Sequence, residues 1–275
     1  PLIDSGAGRR LLWKLLLWIE QAIPTDRWVD GLIAAQDPDV VLVTPLVDLG
    51  SDQVDYIKSA HARGIRTGLC VHSWDNLTNK GLIRLLPDRV YLWNEFQKRE
   101  AVEMHGMPAA HVLVTGAPVY DQWFSREPST TREQFCKKVG LPVDRPFILY
   151  LCSSGFIAPN EAAFADRWVR ALRTSADARV REAAVLVRPH PENVQPWQKY
   201  DLAEFDDVAI WPLGGANPVD DSSKNDFFDS LFHSFAVVGV NTSAQIEAGV
   251  VGRPVFTVQS EEHAGTQEGT LHFHY

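Results

Sequence analysis

Short apolar runs rich in β-branched residues alternate along the chain with segments of helical spacing. Nine of these runs predict strands: Val40–Pro45, Ile65–His72, Arg89–Trp93, Val112–Thr115, Phe147–Cys152, Ala184–Arg188, Val208–Trp211, Phe235–Val240 and Val255–Val258. Four segments between them predict helices: Gln53–Arg63, Glu95–His105, Glu161–Arg173 and Asp226–His233. Because unbroken apolar strands separated by helices are typical of parallel sheets with both faces covered, the pattern predicts an α/β protein.

The segment Trp123–Thr131 interrupts this alternation and predicts a linker between domains, followed by a helix capped ahead of Glu133. We therefore expect two Rossmann-like, doubly wound lobes, one over residues 1–125 and one over residues 126–275. Ligands of such sheets bind at the carboxyl ends of the strands, which places the expected site in a cleft between the lobes.

Composition narrows the class of protein. Hydrophobic residues make up 45% of the 275 residues and charged residues 22%, as in ordinary globular proteins. The net charge of −9 argues against a general nucleic-acid binder. Cys70 and Cys152 lie in strand-like runs, so we expect reduced thiols and a cytoplasmic protein. Because the chain starts at Pro1 and stops without an obvious terminus, we expect a fragment with an incomplete first lobe.

The most apolar stretch is Arg9–Ile19, which begins with two arginines. It is too short to span a bilayer. Two interpretations stay open: a helix that covers a sheet edge, which we favour, or a helix that lies on the inner face of a membrane.

A small polar turn, Asn241-Thr242-Ser243, follows the eighth predicted strand and opens a helix. Unpaired N–H groups at a helix N-terminus bind anions, so a phosphate could bind there, with Glu247 one turn deeper facing ribose hydroxyls. The structural alternative is a capping box between Thr242 and Gln245.

Two other strand ends carry polar groups. Arg188 and His190 lie in an Arg-Pro-His-Pro sequence, whose prolines restrict the backbone and fix the direction of the imidazole. A diphosphate would meet this pair, and His190 could give a charge-assisted hydrogen bond to a departing phosphate, although a lone histidine is more often a packed polar residue. Ser153, Ser154 and Gly155 follow the fifth strand and predict a phosphate or acceptor loop.

The polar loop Ser73–Gly81 follows the second predicted strand and must face solvent or a cleft. Asp75 is its only carboxylate and is the candidate general base, with His72 as second choice. An Asx turn, with Asp75 or Asn76 capping the next helix, is the structural alternative.

Other chemistry is not indicated. Gly-x-Gly-x-x-Gly, Walker and Gly-x-Ser-x-Gly sequences are absent, which argues against dinucleotide, ATPase and esterase sites. The spacing of His263, His272 and His274 with Glu261 and Glu262 matches no established metal site, so we expect no metal.

With these residues in view, the chain from Pro38 to Val258 resembles the GT-B superfamily of enzymes that use nucleotide sugars. It is most similar to the bacterial surface-polysaccharide branch: glycerophosphotransferases, capsule transferases and sugar-nucleotide 2-epimerases. The resemblance is carried by Arg188-Pro189-His190-Pro191, by Asn241–Glu247 with Gly252-Arg253-Pro254-Val255, and by Val114–Pro118 with Asp121.

The resemblance implies that His190 and Ser243 bind the phosphates of the donor and that Glu247 holds its ribose. The glycerophosphotransferases carry a Trp-His-Gly loop whose histidine is the base. Here Trp74 is retained, but Asp75 stands for the histidine and Asn76 for the glycine.

We therefore expect an inverting, metal-independent transferase without cofactors. It would move a glycosyl or glycerophosphoryl group from a UDP-, CDP- or CMP-linked donor to a hydroxyl acceptor, a glycan or a lipid-linked glycan, in cell-surface polysaccharide synthesis. Donor-binding candidates are Arg188, His190, Asn241, Thr242, Ser243, Glu247, Ser153, Ser154 and Gly155. Acceptor-side candidates are His72, Trp74, Asn76 and Lys80, with Asp75 as base. The alternatives are a 2-epimerase and a non-catalytic nucleotide-sugar-binding protein.

Overall fold

The computed structural model of the protein describes residues 5–48, 50–198, 200 and 204–267. Contacts within the chain separate two compact units, one that ends at Ala117 and one that begins at Pro118. Among the described helices, none combines the length and the apolar character that crossing a bilayer requires.

The described residues of the first unit form four α-helices and four strands. They are α1 (Gly6–Ala22), α2 (Arg27–Gln36), β1 (Val40–Val43), α3 (Val54–Ala62), β2 (Arg66–Cys70), β3 (Arg89–Leu92), α4 (Glu95–Glu103) and β4 (Val112–Val114). All four strands are parallel and lie in the order β1-β2-β3-β4.

Only one face of the first sheet is buried. Val41 and Val43 of β1 belong to a core formed with residues of α2, α3 and α4, whereas Val40 and Leu42 are 50% and 57% exposed. Right-handed crossovers between consecutive neighbouring strands put every connecting helix on the same side of a sheet. The expectation that both faces are covered is therefore wrong for the described part of this unit.

The second unit contains a five-stranded parallel sheet in the order β7-β6-β5-β8-β9. Its strands are β5 (Phe147–Leu151), β6 (Ala184–Arg188), β7 (Val208–Ile210), β8 (Ala236–Gly239) and β9 (Val255–Thr257). Its helices are α5 (Asp121–Phe124), α6 (Arg132–Val139), α7 (Glu161–Arg173), α8 (Ala178–Arg181), α9 (Gln195–Gln198), α10 (Asp221–Phe232), α11 (Ala244–Val250) and α12 (Ala264–Gln267).

Both faces of this second sheet are buried. Leu149 of β5 packs into one apolar core with Phe135 of α6, and Ile148 packs into another with Val169 of α7. The strand order reverses direction at β5, as in doubly wound sheets. The predicted α/β fold class is thus confirmed, and all nine predicted strands are present, with ends that lie within two residues of the expected ones.

Helix α10 begins five residues earlier than predicted. Asp220 accepts a hydrogen bond from the backbone N–H of Ser223, and the Ser223 hydroxyl accepts one from the N–H of Asp220. This reciprocal capping box satisfies two donors at the helix start. It was missed because an Asp-x-x-Ser pairing is less typical than a pairing that ends in Glu or Gln.

The predicted linker Trp123–Thr131 is instead an ordered part of the second unit. Trp123 lies in α5, is 2% exposed and stacks against Phe228 of α10. Asp229 of α10 accepts hydrogen bonds from the Ser129 N–H and hydroxyl and from the Thr130 hydroxyl. The division between the units therefore falls at Ala117–Pro118 rather than at 125–126, because the indole and these hydrogen bonds attach the segment to α10.

We expect Asp229→Ala to destabilise the protein by about 2–4 kcal/mol, because three donors would lose their buried acceptor. Urea unfolding followed by circular dichroism measures this change. Asp144→Ala, at an exposed carboxylate, is the matched control and should change the free energy of unfolding by less than about 0.5 kcal/mol. Equal effects of the two substitutions would contradict the structural role of Asp229.

Candidate functional site

A cavity of about 250 Å³ lies within the second unit, at the carboxyl ends of its central strands. It is lined by Leu151 and Cys152 at the end of β5, by Arg188–Pro191 at the end of β6, by Ala216–Pro218 after β7, by Phe227 of α10, and by Thr242–Ala244 and Glu247 after β8. Five of the predicted donor-binding residues thus share one cavity: Arg188, His190, Thr242, Ser243 and Glu247.

The topology of the sheet explains the position of this cavity. The chain leaves β5 toward β6 and returns to pair β8 on the opposite side of β5, so a crevice opens between their ends. Gly239 ends β8, and a Cβ atom there would lie 2.7 Å from the carbonyl oxygen of Leu151. The close approach of the two strand ends therefore requires glycine.

Arg188 supplies the positive charge of the cavity. Its side chain is buried, and both terminal guanidinium nitrogens are without a hydrogen-bond partner among the described residues. The guanidinium carbon lies 5.5 Å from the ring centroid of Trp211 and 5.2 Å from that of Phe227. Burial lowers the pKa of Arg188 to about 10, so the group stays cationic at neutral pH. It therefore offers unused N–H donors to an anion.

His190 is neutral in this environment. Burial lowers the pKa of its imidazole, against the opposing effect of Glu192. The backbone N–H of Glu192 donates to Nδ1 at 3.2 Å, so the ring proton resides on Nε2. His190 can thus donate an ordinary hydrogen bond from Nε2, and the charge-assisted bond expected from the sequence falls to Arg188.

Glu247 is half-buried in the wall of the cavity. Burial raises its pKa to about 7, although the nearby indole N–H of Trp123 and the charge of Arg188 act in the opposite direction. The indole approaches the carboxylate without reaching strict hydrogen-bond geometry. Tyr120 feels the same environment, since burial and the charge of Glu247 raise its pKa to about 12. With a pKa of about 7, the Glu247 carboxyl is partly protonated at neutral pH, and its oxygens can accept hydrogen bonds.

Helix α11 differs from the expectation at its start. Ser243 is the N-cap residue and makes no side-chain cap, and the helix has only seven residues. Gln245 accepts from the Thr242 N–H at 3.2 Å, so half of the predicted capping box forms. Because so short a helix has a small dipole, the anion site depends on Arg188 and His190 more than on this turn.

The other four donor-binding candidates, Asn241, Ser153, Ser154 and Gly155, do not line this cavity. The Ser153 hydroxyl accepts from the N–H of Asn241, whose own side chain donates to the carbonyl of Gln267. Ser153 is fully buried, and Ser154 and Gly155 are absent from the described lining of the cavity. The strand-end position predicted for these residues is correct, but the side chains of Ser153 and Asn241 connect neighbouring loops instead of lining the cavity.

Glu161 completes this supporting layer and was not predicted. Its carboxylate accepts from the Ser153 N–H at 2.7 Å and from the Tyr150 hydroxyl at 3.2 Å. It is fully buried, which raises its pKa to about 8. Glu161 thus fixes the end of β5 and, through Ser153, the turn at Asn241.

The acceptor-side candidates lie in the first unit, after β2. The Ser73 hydroxyl donates to Asp75 at 2.6 Å, so this carboxylate is oriented but does not cap a helix. His72 is exposed, and Trp74 is half-buried. Asn76 is buried, and its amide donates to the carbonyl of Val47, which gives it a structural role.

Lys80 is exposed and lies 3.9 Å from Asp48. Both residues line a separate cavity of about 180 Å³ within the first unit. His72, Trp74, Asp75 and Lys80 therefore remain candidates for contact with a ligand.

Several cavity residues escaped the sequence analysis. Ala216–Pro218 lies in a Gly- and Pro-rich loop after β7, which was a usable signal. Phe227 comes from a helix, where nothing local distinguishes it from a core residue. Within the described ranges, no group of three His, Cys, Asp or Glu side chains could hold a metal ion, and His272 and His274 lie outside these ranges.

No protein-family model matches the sequence, and a search of curated proteins gives no match. The structure is similar to that of MnaA from S. aureus, solved with UDP, with a TM-score of 0.58 and 16% identity over 90% of this chain and 64% of that one. It is also similar to the UDP-GlcNAc 2-epimerase from Methanocaldococcus jannaschii, with a TM-score of 0.53 and 13% identity over 89% of this chain and 73% of that one. A third similar structure is the UDP-GlcNAc 2-epimerase from Neisseria meningitidis bound to UDP-GlcNAc, with a TM-score of 0.52 and 15% identity over 87% of this chain and 64% of that one.

These similarities confirm the expected two-lobed α/β fold and the structural resemblance to sugar-nucleotide 2-epimerases. The chain spans slightly less than two thirds of the length of the S. aureus structure.

The raised pKa of Glu161 predicts a pH-dependent stability. Because the folded state binds this proton more tightly than the unfolded state, stability should fall as pH rises from about 5 to about 8, by about 3 kcal/mol. Glu161→Gln keeps the acceptor for Ser153 and should remove this part of the pH dependence of the free energy of unfolding. Urea unfolding at several pH values measures it. Glu127→Gln, at an exposed carboxyl, should leave the slope unchanged, and a wild-type slope in Glu161→Gln would contradict the assignment.

Proposed function

We propose that the cavity of the second unit binds the phosphates and ribose of a nucleotide-activated sugar and that the protein is an enzyme acting on this donor. The observation that carries the proposal is the buried, unpaired guanidinium of Arg188 beside the Nε2–H of His190 and the carboxyl of Glu247. A buried cation with free N–H donors is costly unless an anion compensates it.

The chemistry of the lining fits a nucleoside diphosphate. A planar guanidinium binds two phosphate oxygens at once, and a neutral imidazole adds a third donor. Glu247 offers oxygen acceptors to a pair of ribose hydroxyls, which need acceptors and carry no charge. The cavity volume of about 250 Å³ is enough for the phosphates and the ribose. It is smaller than the roughly 300–1,000 Å³ of pockets that hold a whole drug-sized ligand.

The solved structures support the same ligand class. One contains UDP and another UDP-GlcNAc, so the fold accommodates nucleotide sugars. The argument for this chain nevertheless depends on its own residues, since the identities are 16% and 15%.

The proposed reaction is an inverting transfer without metal. The acceptor oxygen attacks the activated carbon or phosphorus of the donor, and its proton passes to Asp75. The bond to the nucleotide phosphate breaks, and Arg188 and His190 stabilise the negative charge left on that phosphate. Asp75 is favoured as base because its carboxylate is held by Ser73 after β2.

A 2-epimerase is the second candidate, because one of the similar structures is a UDP-GlcNAc 2-epimerase. It would use the same phosphate and ribose contacts but change the donor in the absence of an acceptor. A nucleotide-sugar-binding protein without catalysis would bind the donor and leave it unchanged.

We expect one of UDP, CDP and CMP to bind with micromolar affinity in calorimetric titration. Arg188→Met should weaken binding about 100-fold, because a charged pair of hydrogen bonds is lost, and His190→Ala about tenfold. Arg179→Met, at an exposed guanidinium, is the control and should bind like the wild type. Absence of binding in the folded protein, or equal affinity in Arg188→Met, would refute the proposed donor site.

Replacement of the proposed base separates the candidate reactions. Asp75→Asn should lower the rate of transfer by about 10²–10⁴-fold while nucleotide affinity stays within twofold, because the amide accepts no proton. Donor consumption with and without hydroxyl acceptors can be followed by NMR, with the exposed Asp52→Asn as control. Conversion of the donor without any acceptor would favour the epimerase, and unchanged turnover in Asp75→Asn would exclude this residue as base.

A further inference from the structure

Helix α1 turns a broad apolar face to solvent. This α1 apolar face consists of Leu11, Leu12, Leu15, Leu16, Trp18 and Ile19, all exposed. Leu11 and Trp18 are 62% and 67% exposed. At about 100° per residue these six side chains cover nearly half of the helix circumference. A face of this size on a soluble surface marks an interaction site.

The opposite side of α1 is firmly attached to the first unit. The Glu20 carboxylate is buried and pairs with Lys58 at 2.5 Å and with Arg84 at 2.7 Å. The ring of Trp13 packs on Gly106, where a Cβ atom would lie 3.2 Å from it. Since these contacts fix the rotation of the helix, the apolar face cannot turn inward.

A positive border accompanies the apolar face. Arg9, Arg10 and Lys14 are all exposed, and no carboxylate occurs between Ser5 and Ile19. The protein as a whole has a net charge of −9, so this helix is a local reversal of sign. An apolar face bordered by cations is complementary to a surface that has an apolar layer beneath a layer of anionic groups.

We propose that the α1 apolar face binds the surface of a bilayer that contains anionic lipids. The helix lies in the plane of the membrane, with its leucines among the acyl chains and its cations at the lipid phosphates. Trp18 lies at the level of the headgroups, where indoles concentrate. The attachment through Glu20 makes this a rigid contact of the first unit.

Charge favours a bilayer over a second copy of the chain. In a symmetric dimer the same patch meets itself, which brings the cations of α1 near those of the partner copy. Anionic headgroups instead neutralise all three cations at once.

Co-sedimentation with vesicles tests the proposal. The wild-type protein should bind vesicles of phosphatidylglycerol and phosphatidylcholine, and at least about tenfold more weakly vesicles of phosphatidylcholine alone. Two triple variants, Leu11→Gln/Leu15→Gln/Trp18→Gln and Arg9→Gln/Arg10→Gln/Lys14→Gln, should each lose at least about tenfold of the anionic-vesicle affinity. The control Val143→Gln/Leu213→Gln/Phe256→Gln removes three exposed apolar side chains of the second unit and should bind like the wild type.

Circular dichroism and light scattering complete the experiment. All variants should remain folded, because the substituted side chains are exposed. Failure of the folded wild-type protein to bind anionic vesicles would overturn the proposal, as would equal binding by the triple variants. A concentration-dependent dimer that only the apolar triple variant abolishes, without vesicle binding, would assign the face to a second copy instead.

Discussion

The candidate site depends on one constraint, a guanidinium that is buried without a hydrogen-bond partner among the described residues. Arg188 stays charged because the carboxylates of Asp226 and Glu247 act against the effect of burial, and the faces of Trp211 and Phe227 compensate part of its lost hydration. The apolar strand that ends in Arg188 is therefore more than a sheet component, since its last side chain puts charge where water is excluded. The fold supplies the place, the end of a central parallel strand, and the aromatic rings keep the charge there.

Around this charge, a second set of hydrogen bonds holds the loops in position. Glu161 binds the Ser153 N–H, and the Ser153 hydroxyl binds the N–H of Asn241. Because Ser153 follows β5 and Asn241 follows β8, the chain of contacts fixes the β5 loop relative to the β8 turn. Such supporting contacts set the geometry of the lining residues, and the cavity would loosen without them.

The sequence was sufficient for the fold and for the inner part of the site. Apolar runs located all nine strands, and because the carboxyl ends of parallel strands meet at one edge, Arg188, His190 and Ser243 came together as expected. The direction of a side chain at a strand end is set by tertiary contacts, which explains why Ser153 and Asn241 were assigned to the ligand. Trp123 was missed for a similar reason, since its burial depends on Phe228, which is distant in sequence.

Burial lowers the pKa of the basic groups of the cavity and raises that of its acidic groups. Arg188 is the one group among those named here that stays positively charged. Burial lowers the pKa of His190, raises that of Glu247 to about 7 and raises that of Tyr120 to about 12. Each of these shifts favours the neutral form of the group, whereas the pKa of Arg188, about 10, still leaves it cationic. As pH falls below 7, Glu247 takes up a proton and its negative charge no longer opposes Arg188. Affinity for an anion should then rise even though the cation is unchanged, because Glu247 no longer opposes Arg188 and only the charge of Asp226 still acts on it.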